Sequence, residues 1–154
     1  MPFFQARAPR PRLITWEVIV AWRASVDNDI TNQRKENVMQ IVENYLAAWN
    51  ERNAEERLAR VATAFTAEAS YKDPLMQGAG HAAIDAMIAG AQTHFPAHRF
   101  ELAGTPDSHN DVLRFSWTLA TPGSEPVAKG TDFAVVAADG RLASVTGFID
   151  YFAQ

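Results

Sequence analysis

Three polar side chains in this sequence stand where a polar group needs a reason. Tyr45 falls on an apolar helical stripe with Val38, Ile41, Val42, Leu46 and Trp49. A phenol there is either a core residue with a satisfied hydroxyl or a donor aimed into a pocket. Asp73 stands immediately before Pro74, where it either organises a turn or presents a carboxylate. Asp132 sits in the middle of an alternating run, a place that disfavours Asp unless something compensates. A carboxylate in apolar surroundings ionises with difficulty, so its pKa rises and it becomes a better base. Moving a proton beside a carbonyl needs that base near the carbon and hydrogen-bond donors near the oxygen.

Other chemistries lack their residues. The chain has no cysteine, which removes a thiolate nucleophile, a thiolate-held metal and a disulfide framework, and fits a reducing cytoplasm. His94 and His98 have i,i+4 spacing, but Pro96 between them breaks the shared face, so no metal site is expected. Gly78-Ala79-Gly80 lacks the Lys and the strand–loop–helix setting of a phosphate loop, and Ser108-His109-Asn110-Asp111 reads as turn chemistry. No cofactor is implied. A net charge of −4 argues against nucleic acid, which requires a basic face.

The 154 residues suit one domain with a core of its own. From Lys35 apolar residues recur at helical spacing to Asn50. Asn53 and Glu56 make a capping pair for a second helix that buries Leu58, Val61, Ala62 and Phe65. Ala69 to Pro74 is a short strand, and Gly78 and Gly80 make a turn. A third helix carries Ile84, Met87, Ile88, Ala91 and Phe95 on one face, and Pro96 stops it. Beyond Pro96 the period falls to two, with strands over His98–Gly104, Val112–Thr121, Val127–Ala138 and Leu142–Phe152. Turn residues divide them at Pro106-Asp107-Ser108, at Pro122-Gly123-Ser124 and at Asp139-Gly140. Consecutive strands then pair antiparallel. The fold class is α+β, a curled and mostly antiparallel sheet wrapped on N-terminal helices and enclosing one deep apolar pocket.

Residues 1–35 differ from the rest and form an N-terminal extension to a domain spanning 36–154. Arg7, Arg10 and Arg12 precede the apolar stretch Leu13 to Ala24, which Glu17 and Arg23 interrupt. The stretch is too short to span a bilayer and lacks a clean cleavage site, so no membrane role is expected. An extra helix, a poorly ordered arm and a start codon placed too far upstream all fit it.

The order of helix, helix, strand, helix and four strands resembles the nuclear transport factor 2 superfamily over residues 36–153, in particular its SnoaL-like and ketosteroid isomerase-like members. Tyr45-Leu46-Ala47-Ala48-Trp49-Asn50 is similar to the first helix of ketosteroid isomerases. Tyr71-Lys72-Asp73-Pro74, with Gly78 and Gly80 following, resembles the segment that carries their general base. Gly130-Thr131-Asp132-Phe133 resembles the strand that carries their second oxyanion donor.

That resemblance implies a cystatin-like α+β barrel and cofactor-independent proton transfer on a small hydrophobic carbonyl compound, as in an isomerase or a polyketide cyclase. Asp73 would be the base, with Tyr45 and a protonated Asp132 as donors. Phe65, Met87, Phe115, Trp117 and Phe148 would wall the pocket, with Asp150 as a further ligand contact. Core packing accounts for the same apolar residues equally well. If Asp132 points inward, Gly130, Ala134 and Val136 share its face, while Thr131, Phe133 and Val135 take the other. Phe133 and Val135 on the outer face point to a homodimer. A non-catalytic binder of an apolar ligand and a dimeric interaction module are the alternatives. A rival resemblance lies in Thr146-Gly147-Phe148-Ile149-Asp150-Tyr151-Phe152, similar to the last strand of limonene-epoxide-hydrolase-type enzymes. Arg114 matches their Arg, but Ser116 stands where the partner Asp belongs, which argues against water activation.

Overall fold

The computed structural model describes residues 15–153. By its internal contacts the chain divides at Arg34/Lys35 into two units. The first carries the opening turns of helix α1, Trp16–Asn50. That helix begins well before the expected Lys35, while Arg7, Arg10 and Arg12 lie outside the described residues.

The second unit, Lys35–Gln154, carries Tyr45, Asp73 and Asp132. Within it, α1 buries Val42, Tyr45, Ala48 and Trp49, the stripe its spacing predicts. Helix α2, Ala54–Ala64, is capped by Asn53, whose side chain accepts from the Glu55 and Glu56 backbone N–H groups. The returning carboxylate is Glu51, which accepts from Asn53 N at 3.0 Å, and not Glu56. Leu58 faces solvent, and Arg57 is the buried member of that turn, paired with Asp85 at 2.8 Å. Phe65 is buried, but it opens strand β1, Phe65–Lys72, instead of closing the helix.

Strand β2, Gln77–Ala79, occupies the expected glycine turn and pairs antiparallel with β1. Helix α3, His81–His94, buries Ile84 and Ile88. Strands β3 (Arg99–His109), β4 (Val112–Ala120), β5 (Ala128–Val136) and β6 (Leu142–Phe152) follow as an antiparallel meander. Pro106-Asp107-Ser108 does not end β3. The ladder shifts register between Ala103 and Asp107, where Gly104 adopts φ +73°, and the turn comes at Asn110. Such a bulge absorbs an extra residue and bends the strand.

The six strands run β2-β1-β6-β5-β4-β3. β1 lies parallel to β6, so the sheet is mixed, and β2 and β3 remain as edges, so it is curved but does not close into a barrel. The parallel pair brings the end of β1, and with it Asp73, beside the middle of β6.

Candidate active site

Alternation along β5 turns Ala128, Gly130, Asp132 and Ala134 inward, whereas Lys129, Phe133 and Val135 are exposed. Asp132 is only 1 % exposed. Its Oδ2 accepts a 2.6 Å hydrogen bond from the Tyr45 phenol, which descends from α1. Its Oδ1 is buried with no hydrogen-bond partner among the described residues. Burial pushes the Asp132 carboxyl from the ordinary 3.8 up to about 6. The Tyr45 phenol opposes that rise, and the nearby Trp117 indole pulls the same way without closing a bond onto Oδ1. The charges of Asp73 and Asp150 push it further up. Burial, followed by the charge of Asp132, raises the Tyr45 phenol well above its usual range, so it remains a proton donor.

Asp73 follows the last residue of β1, and both of its oxygens are engaged. Oδ1 accepts from the Leu75 and Met76 backbone N–H groups at 2.7 and 2.8 Å, closing the turn that Pro74 initiates. Oδ2 accepts from the Tyr71 phenol at 2.8 Å. The turn role and a chemical role therefore fall on different oxygens of one carboxylate. Tyr71 and Asp73 share a strand face because they are two residues apart. Burial drives the Tyr71 phenol upward, as the charges of Asp132 and Asp73 also do.

Gly147 of β6 is the point on which these groups converge. A Cβ there would lie 2.9 Å from Asp132 Oδ1, 3.1 Å from Asp73 Cβ and 3.3 Å from the Tyr71 oxygen. Only a residue without a side chain leaves the two acids this close. Gly130 does the same for a wall: a Cβ there would collide with the Trp117 ring and the Phe148 carbonyl.

Tyr45, Trp49, Tyr71, Asp73, Phe100 and Trp117 line an inner chamber of about 60 Å³. A second cavity of about 480 Å³ includes Met87, Gly90 and His94 in its lining. The two share Leu75, Met76, Ala91, Phe95 and Phe152, so they adjoin across those side chains. In place of one deep pocket there is a narrow aromatic chamber and a wider vestibule.

The expected site residues separate into groups. Tyr45, Asp73 and Trp117 line the chamber, and Met87 lines the vestibule. Asp132 stands behind Tyr45 and is not part of the chamber wall. Phe65 and Phe115 are core residues that fix Tyr45, with ring centroids 5.8 and 5.1 Å from its own. Phe148 is exposed on the outer face against Phe133, because it pairs across the ladder with Thr131. Asp150 is exposed, and it accepts from Thr131 at 2.7 Å. Thr131 also meets Ser116, while Arg114 pairs with Asp107, so the water-holding set of the rival resemblance is not assembled. Tyr71, Trp49, Phe152 and Gly147 complete the site and were not singled out for it from sequence. For Tyr71 the available signal was its i,i+2 spacing from Asp73. Among the described residues no group of three or more His, Asp or Glu is placed to hold a metal ion.

The family described as SnoaL-like domain matches residues 42–145. A crystal structure of a candidate isomerase of the SnoaL-like family from Agrobacterium tumefaciens is similar at 46 % identity. That alignment covers 75 % of this chain and 99 % of the other, with a TM-score of 0.72. A candidate polyketide cyclase from Sinorhizobium meliloti is 22 % identical over 70 % of this chain and 93 % of its own, with a TM-score of 0.54. An LEH-like epoxide hydrolase from M. tuberculosis is 17 % identical over 76 % and 85 %, also at 0.54. These last two share the fold alone. No curated protein matches the sequence.

Proposed function

The chain belongs to the SnoaL-like family, and from that premise we propose that it catalyses cofactor-independent proton transfer next to the carbonyl of a small hydrophobic substrate. The observation that carries this reading is a carboxylate, Asp73, and a phenol, Tyr45, lining one largely apolar chamber, with a second acid behind the phenol. Asp73 Oδ2 takes the proton from the carbon beside the carbonyl and returns it. Tyr71 gives up its hydrogen bond to that oxygen, or shares it, as the substrate enters. Tyr45 donates to the oxygen on which negative charge develops. Asp132 decides where the phenol hydrogen points. As a carboxylate it accepts that hydrogen. As a neutral acid its own O–H donates to the phenol oxygen and frees the phenol to face the chamber. The isomerase-type likeness of the 46 % identical relative supports this class of reaction.

Deuterium uptake provides the test. In deuterium oxide the protein should exchange the α-hydrogens of simple ketones, followed by proton NMR, well above the buffer rate. Exchange at the buffer rate across a broad ketone panel would sink the catalytic reading and leave an apolar-ligand binder.

The outer sheet face supports the expected homodimer. Phe133, Val135 and Phe148 are exposed there, and the Phe133 and Phe148 rings meet edge to face at 5.8 Å. Sedimentation should give a species of twice the 17.0 kDa chain mass. Phe148→Asp should return it to the monomer, and a wild-type monomer at tens of micromolar would remove the idea.

A further inference from the structure

The two cavities differ in size and in polarity, and that difference bears on what can enter. The inner chamber, at about 60 Å³, has room for a few heavy atoms. An apolar cavity of roughly 150 Å³ is what accepts a single benzene ring. Its walls are aromatic on most sides: Trp49 stands 5.1 Å from Phe100 and 5.5 Å from Tyr71, and Phe100 stands 5.2 Å from Trp117. Rings packed this closely, two pairs edge to face and one tilted, leave no slot for a fused ring system. The Tyr45 and Tyr71 phenols and the Asp73 carboxylate are all at this inner end.

The vestibule is about eight times larger, at about 480 Å³, and its wall is mainly apolar: Leu75, Met76, Met87, Ala91, Phe95 and Phe152. Among the described residues that line it, His94 is the ionisable one. The His94 ring Nδ1 is already held by the Gly90 carbonyl at 2.9 Å. Gly90 itself leaves part of this space open. It lies within α3, where a side chain would favour the helix, and a Cβ built there meets nothing within 4 Å.

We infer that the substrate is a slender, unbranched carbonyl compound: its reacting head enters the inner chamber and its apolar tail lies in the vestibule. The orientation of the head rests on the proton-transfer reading. The division into head and tail rests only on the cavities. A fused-ring ketone cannot bring its carbonyl end-on into the chamber, because its first ring is already too wide for about 60 Å³.

The test measures binding and needs no turnover. Calorimetric titration with the series 2-butanone to 2-undecanone should show affinity rising about fourfold with each methylene buried. The bicyclic 2-decalone, equal in carbon number to 2-decanone, should bind at least tenfold more weakly than the linear ketone. Gly90→Ala and Gly90→Leu, which add bulk to the vestibule in two steps, should cut the chain-length gain progressively, with 2-undecanone losing tenfold or more in the Leu variant. If 2-decalone binds as tightly as 2-decanone, or if neither Gly90 variant alters the chain-length dependence, the proposal is overturned. Linear ketones that bind in this pattern without α-hydrogen exchange would uphold this inference while ending the proton-transfer reading. The reverse result would end this inference alone.

Discussion

Asp73→Asn should lower α-hydrogen exchange by about 10²- to 10⁴-fold, the usual contribution of a positioned base, with little change in melting temperature. The two oxygens of Asp73 make this a clean substitution. The Asn amide oxygen still accepts from Leu75 N and Met76 N, so the turn after Pro74 keeps both bonds. Its NH₂ replaces Oδ2 and donates to the Tyr71 oxygen, whose own hydrogen turns away. Only basicity is lost. Asp73→Ala removes the turn bonds as well, so it should lose both rate and stability. Exchange rates and thermal melts on the two variants separate the roles. If Asn keeps the wild-type rate and only Ala is impaired, Asp73 is a turn residue and nothing more.

That double duty shows why residue types alone left Asp73 open. An Asp before Pro signals a turn, and an Asp in an apolar setting signals chemistry. Both signals hold here, on separate oxygens. Local pattern was strong enough for the α1 stripe, for Asn53 as a cap and for the inward face of β5, because each depends on residues a few positions apart. The parallel pairing of β1 with β6 depends on residues more than seventy positions apart, and no spacing announces it. Yet that pairing sets Asp73 and Tyr71 beside Gly147.

The end of β6 shows the same limit at the scale of one residue. Lys129 pairs with Tyr151 but Gly130 pairs with Ile149, so Asp150 is the extra residue of a bulge. Strict alternation from Gly147 would turn Tyr151 inward. The bulge reverses the parity, and Phe152 joins Ile149 on the chamber wall instead. Phe148 precedes the bulge and was decidable in principle: it stands opposite Thr131, already assigned to the outer face. The apolar character of Phe148 suggested a pocket wall; the ladder puts it outside.

Asp132→Asn should stabilise the protein near neutral pH by about 3 kcal/mol and remove a pH dependence that the wild type carries. The folded Asp132 carboxyl titrates at about 6 against an ordinary 3.8, chiefly because burial resists its charge. Below pH 3.8 the group is protonated in both states and favours neither. Between pH 3.8 and 6 the unfolded chain releases this proton while the folded one retains it. The unfolded state then binds fewer protons, so stability falls as pH rises, by roughly 1.4 kcal/mol per unit. Above pH 6 both states are ionised and the loss is complete. Asn cannot ionise, keeps an oxygen for the Tyr45 phenol, and places its NH₂ toward the Tyr71 oxygen where Oδ1 now has no partner. Urea unfolding of both proteins at pH 4, 5, 6 and 7.5 isolates Asp132 together with its coupling to Asp73 and Asp150, since the titrations of groups that do not feel its charge cancel in the difference. That difference should be small at pH 4, grow to pH 6 and stay level beyond. A difference that does not change with pH would mean that Asp132 is ionised throughout, and its place as the switch behind Tyr45 would fall with it.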